Sequence, residues 1–381
     1  MQGLYVSISR QQTFLERQIS KSHALTVLRL LHLPKKFKIA AKLPFKLTKI
    51  LSSRYLSADN SRAKYRSSAI LELVLLSSTS SYSRLVGLPH KLLRSIFKKR
   101  LSNLIKKQNF AIVPSDIWDL VEPGLRSITI LEVRWISQEF IDSLDLPNAP
   151  YISKTLSPKK RITPANCSDW TEFGGFITYS EIAKTSLMFL GIPREYIFVH
   201  PLTEPLFLYT ENNNVDVSRK HFLYVGRSAP EKRLDIAIEI AQKLQVSMHV
   251  VGNFDEETTR WLRDQPFVNF IGTIPYKELL DLMKESFALL STGLESWGLA
   301  VCEALSQGTQ VYATRYCGVT EWISHPKLYV VHEMNTDLFV REILKEKEST
   351  CSVRTVDSLT LGNSLEAFFS SRLLTKSEKK S

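Results

Sequence analysis

The chain has 381 residues, room for two domains at about 150 residues each. Hydrophobic residues make up 44% and charged residues 23%, a globular composition that excludes wholesale disorder, collagen-like repeats and a disulfide scaffold. The net charge of +12 is unevenly placed: residues 1–110 hold 22 Lys/Arg against 3 Asp/Glu, and residues 111–381 hold 28 against 35, so an anionic partner is expected to face the first part of the chain.

The start, Met1 to Ser9, lacks a basic n-region followed by an apolar h-region and reads as a first strand, Leu4 to Ile8. The longest apolar run, Ala69 to Leu76, carries Glu72 and falls far short of the roughly 20 apolar residues that span a bilayer. Further strands are expected at Ala24–Leu31, Phe110–Val113, Ile128–Val133, Phe176–Tyr179 and Tyr196–Val199, with lysine-rich stretches between them. Leu88 to Lys107 has a helical stripe of Leu93, Ile96, Phe97, Leu101, Leu104 and Ile105, bordered by Lys91, Arg94, Lys98, Lys99 and Lys106. Leu33 to Leu51 is a second basic-apolar stretch, broken by Pro44. These features fit a solvated lysine face on an ordinary domain helix, or a surface that rests on anionic lipid. Nucleic acid is the weaker reading, because no zinc-finger, helix-turn-helix or RNP pattern accompanies the charge.

Asn212 to Asn214 suggests a polar loop near a join, after which strand and helix alternate. Strands are expected at 221–226, 246–251, 268–271, 287–290, 310–313 and 328–331, with helices at 231–244, 256–264, 275–284, 299–307 and 336–347. That alternation means βαβ units and a parallel, doubly wound α/β sheet, in which ligands sit beyond the carboxyl ends of the strands. The cysteines Cys167, Cys302, Cys317 and Cys351 stand alone, without a CxxC or Cys/His ligand pair, which fits a reducing compartment and no metal site.

Three loops at strand ends carry chemistry. Gly226-Arg227, followed by Lys232, offers a tight turn and two cations where a phosphate would meet a helix start. Ser291 to Leu305 places Glu295 before a helix and Glu303 inside it, with Gly298 allowing close approach and the amides of Trp297, Gly298 and Leu299 able to face an anion. Tyr316 to Ile323 is a glycine-containing loop that ends in Glu321 and could wall the same site. Taken singly, each has a plain alternative: solvated charges beside a turn, a solvated helix face, a simple loop. Glu303 is set apart by its apolar neighbours Val301, Cys302, Ala304 and Leu305, which make an accidental acid there costly.

In order and spacing these three segments resemble family 4 of the retaining nucleotide-sugar glycosyltransferases (glycosyl transferases group 1), which have the GT-B fold of two Rossmann-like domains with parallel doubly wound sheets facing a central cleft. The likeness extends to Phe176–Glu181, Leu190–Pro193 and Ile197–Pro201, covers roughly residues 175–325 and is vague before them. It implies a basic, acceptor-binding domain over 1–204, a donor domain over 205–355, and a helix and tail over 356–381 that packs back on the first domain. It also implies roles. Arg227 and Lys232 would neutralise the donor diphosphate, Glu295 would hold donor-sugar hydroxyls, Glu303 would bind the ribose, and Gly226 and the amides of Trp297, Gly298 and Leu299 would line the donor. Glu295, Arg227 and Lys232 are the expected catalytic group. No Asp-x-Asp metal site is visible, so no metal and no cofactor beyond the co-substrate are expected.

The implied activity is metal-independent transfer of a sugar, with a hexose expected, from a nucleotide-diphosphate sugar to a glycan or lipid-linked acceptor. The expected location is the cytoplasm, with peripheral attachment to the inner face of a membrane as an option. Two departures from the family pattern stand out. The loop after the first strand, Ser7 to Thr13, has no glycine, and Arg134 stands near the place of a first-domain histidine, with His90 and His200 as spare candidates. A donor-fold binding protein or partner subunit without turnover is therefore the alternative.

Overall fold

The computed structural model describes residues 2–7, 24–30, 70–73, 90–144, 172–202 and 221–345, together with Ala367, Phe368 and Ser371. The expected join at 204/205, most of the tail 356–381, the stretch Leu33–Leu51, Asn212–Asn214, the loop after Ser7, and Cys167 and Cys351 all lie outside the described residues. The chain divides into two compact units: residues 1–133, 164–177 and 362–381, and residues 134–163 and 178–361.

The first sheet contains β1 (Gln2–Ser7), β2 (Ala24–Leu30), β3 (Ile70–Leu73), β4 (Phe110–Pro114), β5 (Thr129–Glu132), β6 (Gly175–Thr178) and β7 (Ile197–Val199), in the order β3-β2-β1-β4-β5-β6-β7. The registered pairs from β3 to β6 are parallel. β3 is an element the hydropathy pattern did not assign; it is a four-residue edge strand cut from the apolar run 69–76. β4 and β5 are wholly buried, as expected of parallel strands covered on both faces. The basic stretch forms α1 (His90–Ile105), which buries Leu101, Ser102 and Ile105 and leaves Lys99 exposed. Among the described residues no helix is long and apolar enough to cross a membrane.

The second sheet contains β8 (Phe222–Arg227), β9 (Met248–Asn253), β10 (Val268–Gly272), β11 (Ala288–Ser291), β12 (Gln310–Thr314) and β13 (Leu328–Val331), all parallel, in the order β10-β9-β8-β11-β12-β13. Successive strand residues are buried on opposite faces. Phe222, Tyr224, Ala288 and Leu290 join one core, with Leu234 and Ile238 of α4 (Leu234–Leu244) and Phe339 of α8 (Thr336–Leu344). Leu223 and Leu289 join the other, with Met283 of α6 (Tyr276–Glu285) and Val301 and Leu305 of α7 (Leu299–Ser306). The period-2 alternation therefore feeds two apolar layers, and the expected doubly wound parallel architecture is present in this unit.

The helix expected from Glu231 starts later. Pro230 opens a 3-10 turn over Pro230–Lys232, Arg233 takes a left-handed conformation (φ 48°), and α4 begins at Leu234. Side chains cap α2 (Gln138–Ser143), where the Ser137 hydroxyl accepts from the Phe140 N–H at 3.1 Å, and α5 (Glu256–Arg263), where the Asp255 carboxylate accepts from the Thr258 N–H at 2.8 Å.

Candidate functional site

The strand order reverses at β8. β9 and β10 extend the sheet one way and β11 to β13 the other, so the loops leaving β8 and β11 flank the topological switch point, where α/β sheets open a crevice. The β8 loop carries Arg227 and Lys232; the β11 loop carries Glu295.

Glycines bring the two loops together. A Cβ at Gly293 would lie 2.2 Å from the Glu231 carbonyl oxygen and 2.4 Å from the Lys232 carbonyl carbon, so only a residue without a side chain lets these backbones touch. The Leu294 N–H donates to the Glu231 carbonyl (2.7 Å), and the Thr292 hydroxyl donates to the Arg233 carbonyl (2.7 Å). Lys232 Nζ then lies 2.5 Å from Glu295 Oε2 and donates to the Leu294 carbonyl at 3.1 Å. Two of the three ammonium protons are thereby engaged, and the third remains for a further acceptor. Arg227 Nη2 lies 2.5 Å from Glu231 Oε1. Gly226, in register with Gly252 of β9, lies over the Tyr224 ring. The Tyr224 phenol is pushed well above its usual range by burial, then by Glu295 and Glu231.

The third loop locks onto the second. Glu295 bridges Cys317, its N–H donating to the Tyr316 carbonyl (3.0 Å), and the Val319 N–H donates to the Trp297 carbonyl (2.7 Å). At Gly298 (φ 104°) a Cβ would strike the Cys317 sulfur at 2.4 Å, and at Gly318 a Cβ would strike the Ser296 carbonyl oxygen at 2.5 Å. The Ser180 hydroxyl also donates to the Ser296 carbonyl (2.6 Å), and the Ser296 hydroxyl donates to the Arg134 carbonyl (2.8 Å). Glu321, the acid that ends the third loop, accepts from the N–H groups of Glu181 (2.6 Å) and Ile182 (2.9 Å), at the start of α3 (Glu181–Phe189). It caps that helix.

Arg227, Lys232 and Glu295 thus stand on adjoining loops at one edge of the sheet. Glu303 is one turn inside α7, where burial raises its carboxyl pKa and a hydrogen bond from the Tyr276 hydroxyl opposes the rise. Sequence reasoning missed Tyr276, which opens α6 just after β10; its only signal is its place one residue after Pro275 at a strand end. The Trp297 indole is buried in the core beneath the loop, so its backbone, the part expected to face an anion, is what it can offer a ligand. Leu299 is 55% exposed at the first position of α7, where the first N–H groups to bond back, those of Val301 and Cys302, reach the Gly298 carbonyl.

Of the histidine candidates, His200 is fully buried with its ring edge-on to Phe198 (6.2 Å), and His90 opens α1. Cys302 and Cys317 are buried free thiols; burial pushes the Cys317 thiol up to about 12. Among the described residues no group of three or more His, Cys, Asp or Glu is placed to hold a metal ion.

Residues 209–351 match the family model for glycosyl transferases group 1. No curated protein sequence matches the chain. Among solved structures, HepE of Anabaena in complex with UDP and glucose is similar at a TM-score of 0.53 and 14% identity, covering 100% of this chain and 98% of its own. Sucrose-phosphate synthase from Thermosynechococcus elongatus is similar at 0.57 and 13%, with the same coverage. A glycosyltransferase from Rickettsia africae is similar at 0.50 and 15%, covering 90% of this chain and 86% of its own. At such identities the likeness establishes the fold, two parallel Rossmann-like sheets of the GT-B class. The match to the glycosyl transferases group 1 model spans residues 209–351, the part that carries Arg227, Lys232, Glu295 and Glu303.

Proposed function

We propose that the protein is a retaining, family 4-type glycosyltransferase that moves a sugar, in the simplest case a hexose, from a nucleotide-diphosphate donor to a glycan or lipid-linked acceptor. The observation that carries this reading is the Lys232–Glu295 pair at the switch point, with Arg227 on the same loop. Breaking the bond between sugar and phosphate concentrates negative charge on the departing diphosphate. Cations already fixed in place stabilise that state more than the ground state. Lys232, held by Glu295 and the Leu294 carbonyl, directs its remaining proton to a phosphate oxygen; Arg227 meets the other phosphate. Glu295, beside the reacting bond, accepts hydrogen bonds from donor-sugar hydroxyls, and Glu303 accepts from the ribose. The diphosphate charge is met by these side chains and the loop amides, so the reading calls for no metal or additional cofactor.

HepE was solved with UDP and with UDP-glucose, which makes uridine donors the first to test. In this reading the first unit supplies the acceptor side, and the basic stretch that forms α1, with Lys99 exposed, rests on an anionic membrane surface at the cytoplasmic face. Nucleic acid is not part of the reading.

The test is release of nucleoside diphosphate from UDP-glucose, UDP-galactose, GDP-mannose and ADP-glucose in the presence of glycan and lipid-linked acceptors. Turnover that disappears in Lys232→Ala and Glu295→Ala supports the proposal. Arg134, standing near the place of the family's first-domain histidine and tied by its carbonyl to Ser296, is what favours the rival reading of a binding subunit. Tight donor binding without release by the wild-type protein would establish that rival.

A further inference from the structure

Glu231 has no role in the reaction as described, and its position calls for one. It lies between the two cations in the chain and is 8% exposed. Acids are rarely buried so deeply unless they are paired. Its partner is Arg227, whose Nη2 lies 2.5 Å away and whose side chain is 42% exposed. The pair is therefore lopsided, with a buried carboxylate holding a half-exposed guanidinium.

The carboxylate is also fixed in place. The Glu231 carbonyl accepts the Leu294 N–H at 2.7 Å, and Gly293 packs directly against it. The stretch between Arg227 and Glu231 is pinned at Ser228, whose hydroxyl lies 2.5 Å from Asp255 Oδ2 and 3.0 Å from Thr258 Oγ1. Both ends of the Arg227 side chain are thus anchored, its backbone by the Ser228 network and its guanidinium by Glu231. An unheld arginine carries rotamer entropy that must be given up on contact with a ligand. Here one Nη meets Glu231, and the fork's other donors remain for a ligand.

Resting on the reading given above, we propose that Glu231 is a positioning residue: it aims the Arg227 guanidinium at the departing diphosphate. The obvious rival makes Glu231 an internal competitor, a negative charge that weakens the site's hold on phosphate. The two predict opposite signs. A positioning acid raises the rate, because charge on the leaving group grows toward the transition state. A competing acid lowers donor affinity, so its removal would tighten binding.

The experiment measures nucleoside diphosphate release from the four donors named above by wild type, Glu231→Gln, Glu231→Asp, Arg227→Ala and Arg227→Ala/Glu231→Gln. Thermal melting of each variant checks that it is folded. Positioning gives a fall in kcat of about tenfold in both Glu231 variants with donor KM changed less than about threefold, a split that marks an interaction made mainly in the transition state. It also gives no further loss when Glu231→Gln is added to Arg227→Ala, since Glu231 acts through that side chain. Glu231→Asp keeps the charge and shortens the reach, so it tests positioning even where Glu231→Gln is too unstable to assay. Unchanged kcat in the Asp variant, tighter donor binding in the Gln variant, or an equal loss with and without Arg227 would each overturn the inference. No release and no donor binding by the wild-type protein would overturn the functional reading itself, and this inference with it.

Discussion

Alanine at Gly293 probes most sharply how the two cation-bearing loops are joined. Its Cβ would lie 2.2 Å from the Glu231 carbonyl oxygen and 2.4 and 2.5 Å from the carbonyl carbon and Cα of Lys232. Non-bonded carbons rest at about 3.5–4.0 Å, so the loops must separate by about 1 Å. Every obstructing atom is backbone, and no rotamer change relieves the clash. The separation pulls on three hydrogen bonds: Leu294 N–H to Glu231 (2.7 Å), Lys232 Nζ to Leu294 (3.1 Å) and Thr314 Oγ1 to the Gly293 carbonyl (2.8 Å). Overpacking costs about 1–3 kcal/mol and each lost hydrogen bond about 0.5–1.5 kcal/mol, so partial loss of the three gives a destabilisation of about 2–4 kcal/mol. For a unit of this size that lowers Tm by roughly 5–15 °C. The assay pairs thermal melting with titration of UDP, GDP and ADP, and nucleotide affinity is expected to fall along with Tm. A Gly293→Ala protein that melts with the wild type and binds nucleotide equally well would refute the account of how Lys232 reaches Glu295.

Further outcomes follow from the buried titratable groups. His221 and His249 have their rings 3.9 Å apart, and both pKa values are lowered, by burial in each case and at His221 also by His249. The unfolded chain therefore takes up protons before the folded one, and stability measured by urea unfolding is expected to hold above about pH 6.5 and fall below it. His325, whose imidazole is held down to about 4 by burial and then by Lys327, adds to the same fall, so His249→Asn should lessen it and not abolish it; an unchanged profile would contradict this. Because burial raises the Glu303 pKa, Glu303→Gln is expected to keep or raise Tm at pH 7.5 while weakening nucleotide binding. Tyr276→Phe removes a hydrogen bond that favours the Glu303 carboxylate, so the acid limb of nucleotide affinity should move to higher pH; a limb that stays in place would show that Glu303 does not govern it. In a variant lacking Cys167 and Cys351, Cys302 and Cys317 should resist thiol reagents at pH 8 until the protein unfolds, and rapid labelling of the folded protein would contradict their burial.

The second unit was legible because its signals are local. Each strand from β8 to β13 is a short apolar run, and the amphipathic helices between them bury one stripe, so period alone separates the elements. The first unit was harder because its strands are separated by long basic stretches, and β3 is a four-residue edge strand that contains Glu72. The delayed start of α4 turned on one backbone event, the left-handed Arg233 after Pro230, which a helical stripe through Leu234 and Ala237 does not register. The resemblance in order and spacing marked Arg227, Lys232, Glu295 and Glu303 as a set, but their partners were not readable. The Lys232–Glu295 pair depends on Gly293 meeting a loop 60 residues earlier, and Glu231 reads in sequence as one more surface acid until its burial is seen. Tyr276 reaches Glu303 only because α6 and α7 pack on the same face of the sheet.

The most direct test is calorimetric titration of UDP, GDP and ADP into the wild-type protein and into Lys232→Ala at moderate salt. The account expects the wild type to bind at least one of these nucleoside diphosphates and Lys232→Ala to lose that affinity by tenfold or more. Equal affinity in the two proteins, or binding of none of the three by the folded wild type, would contradict it.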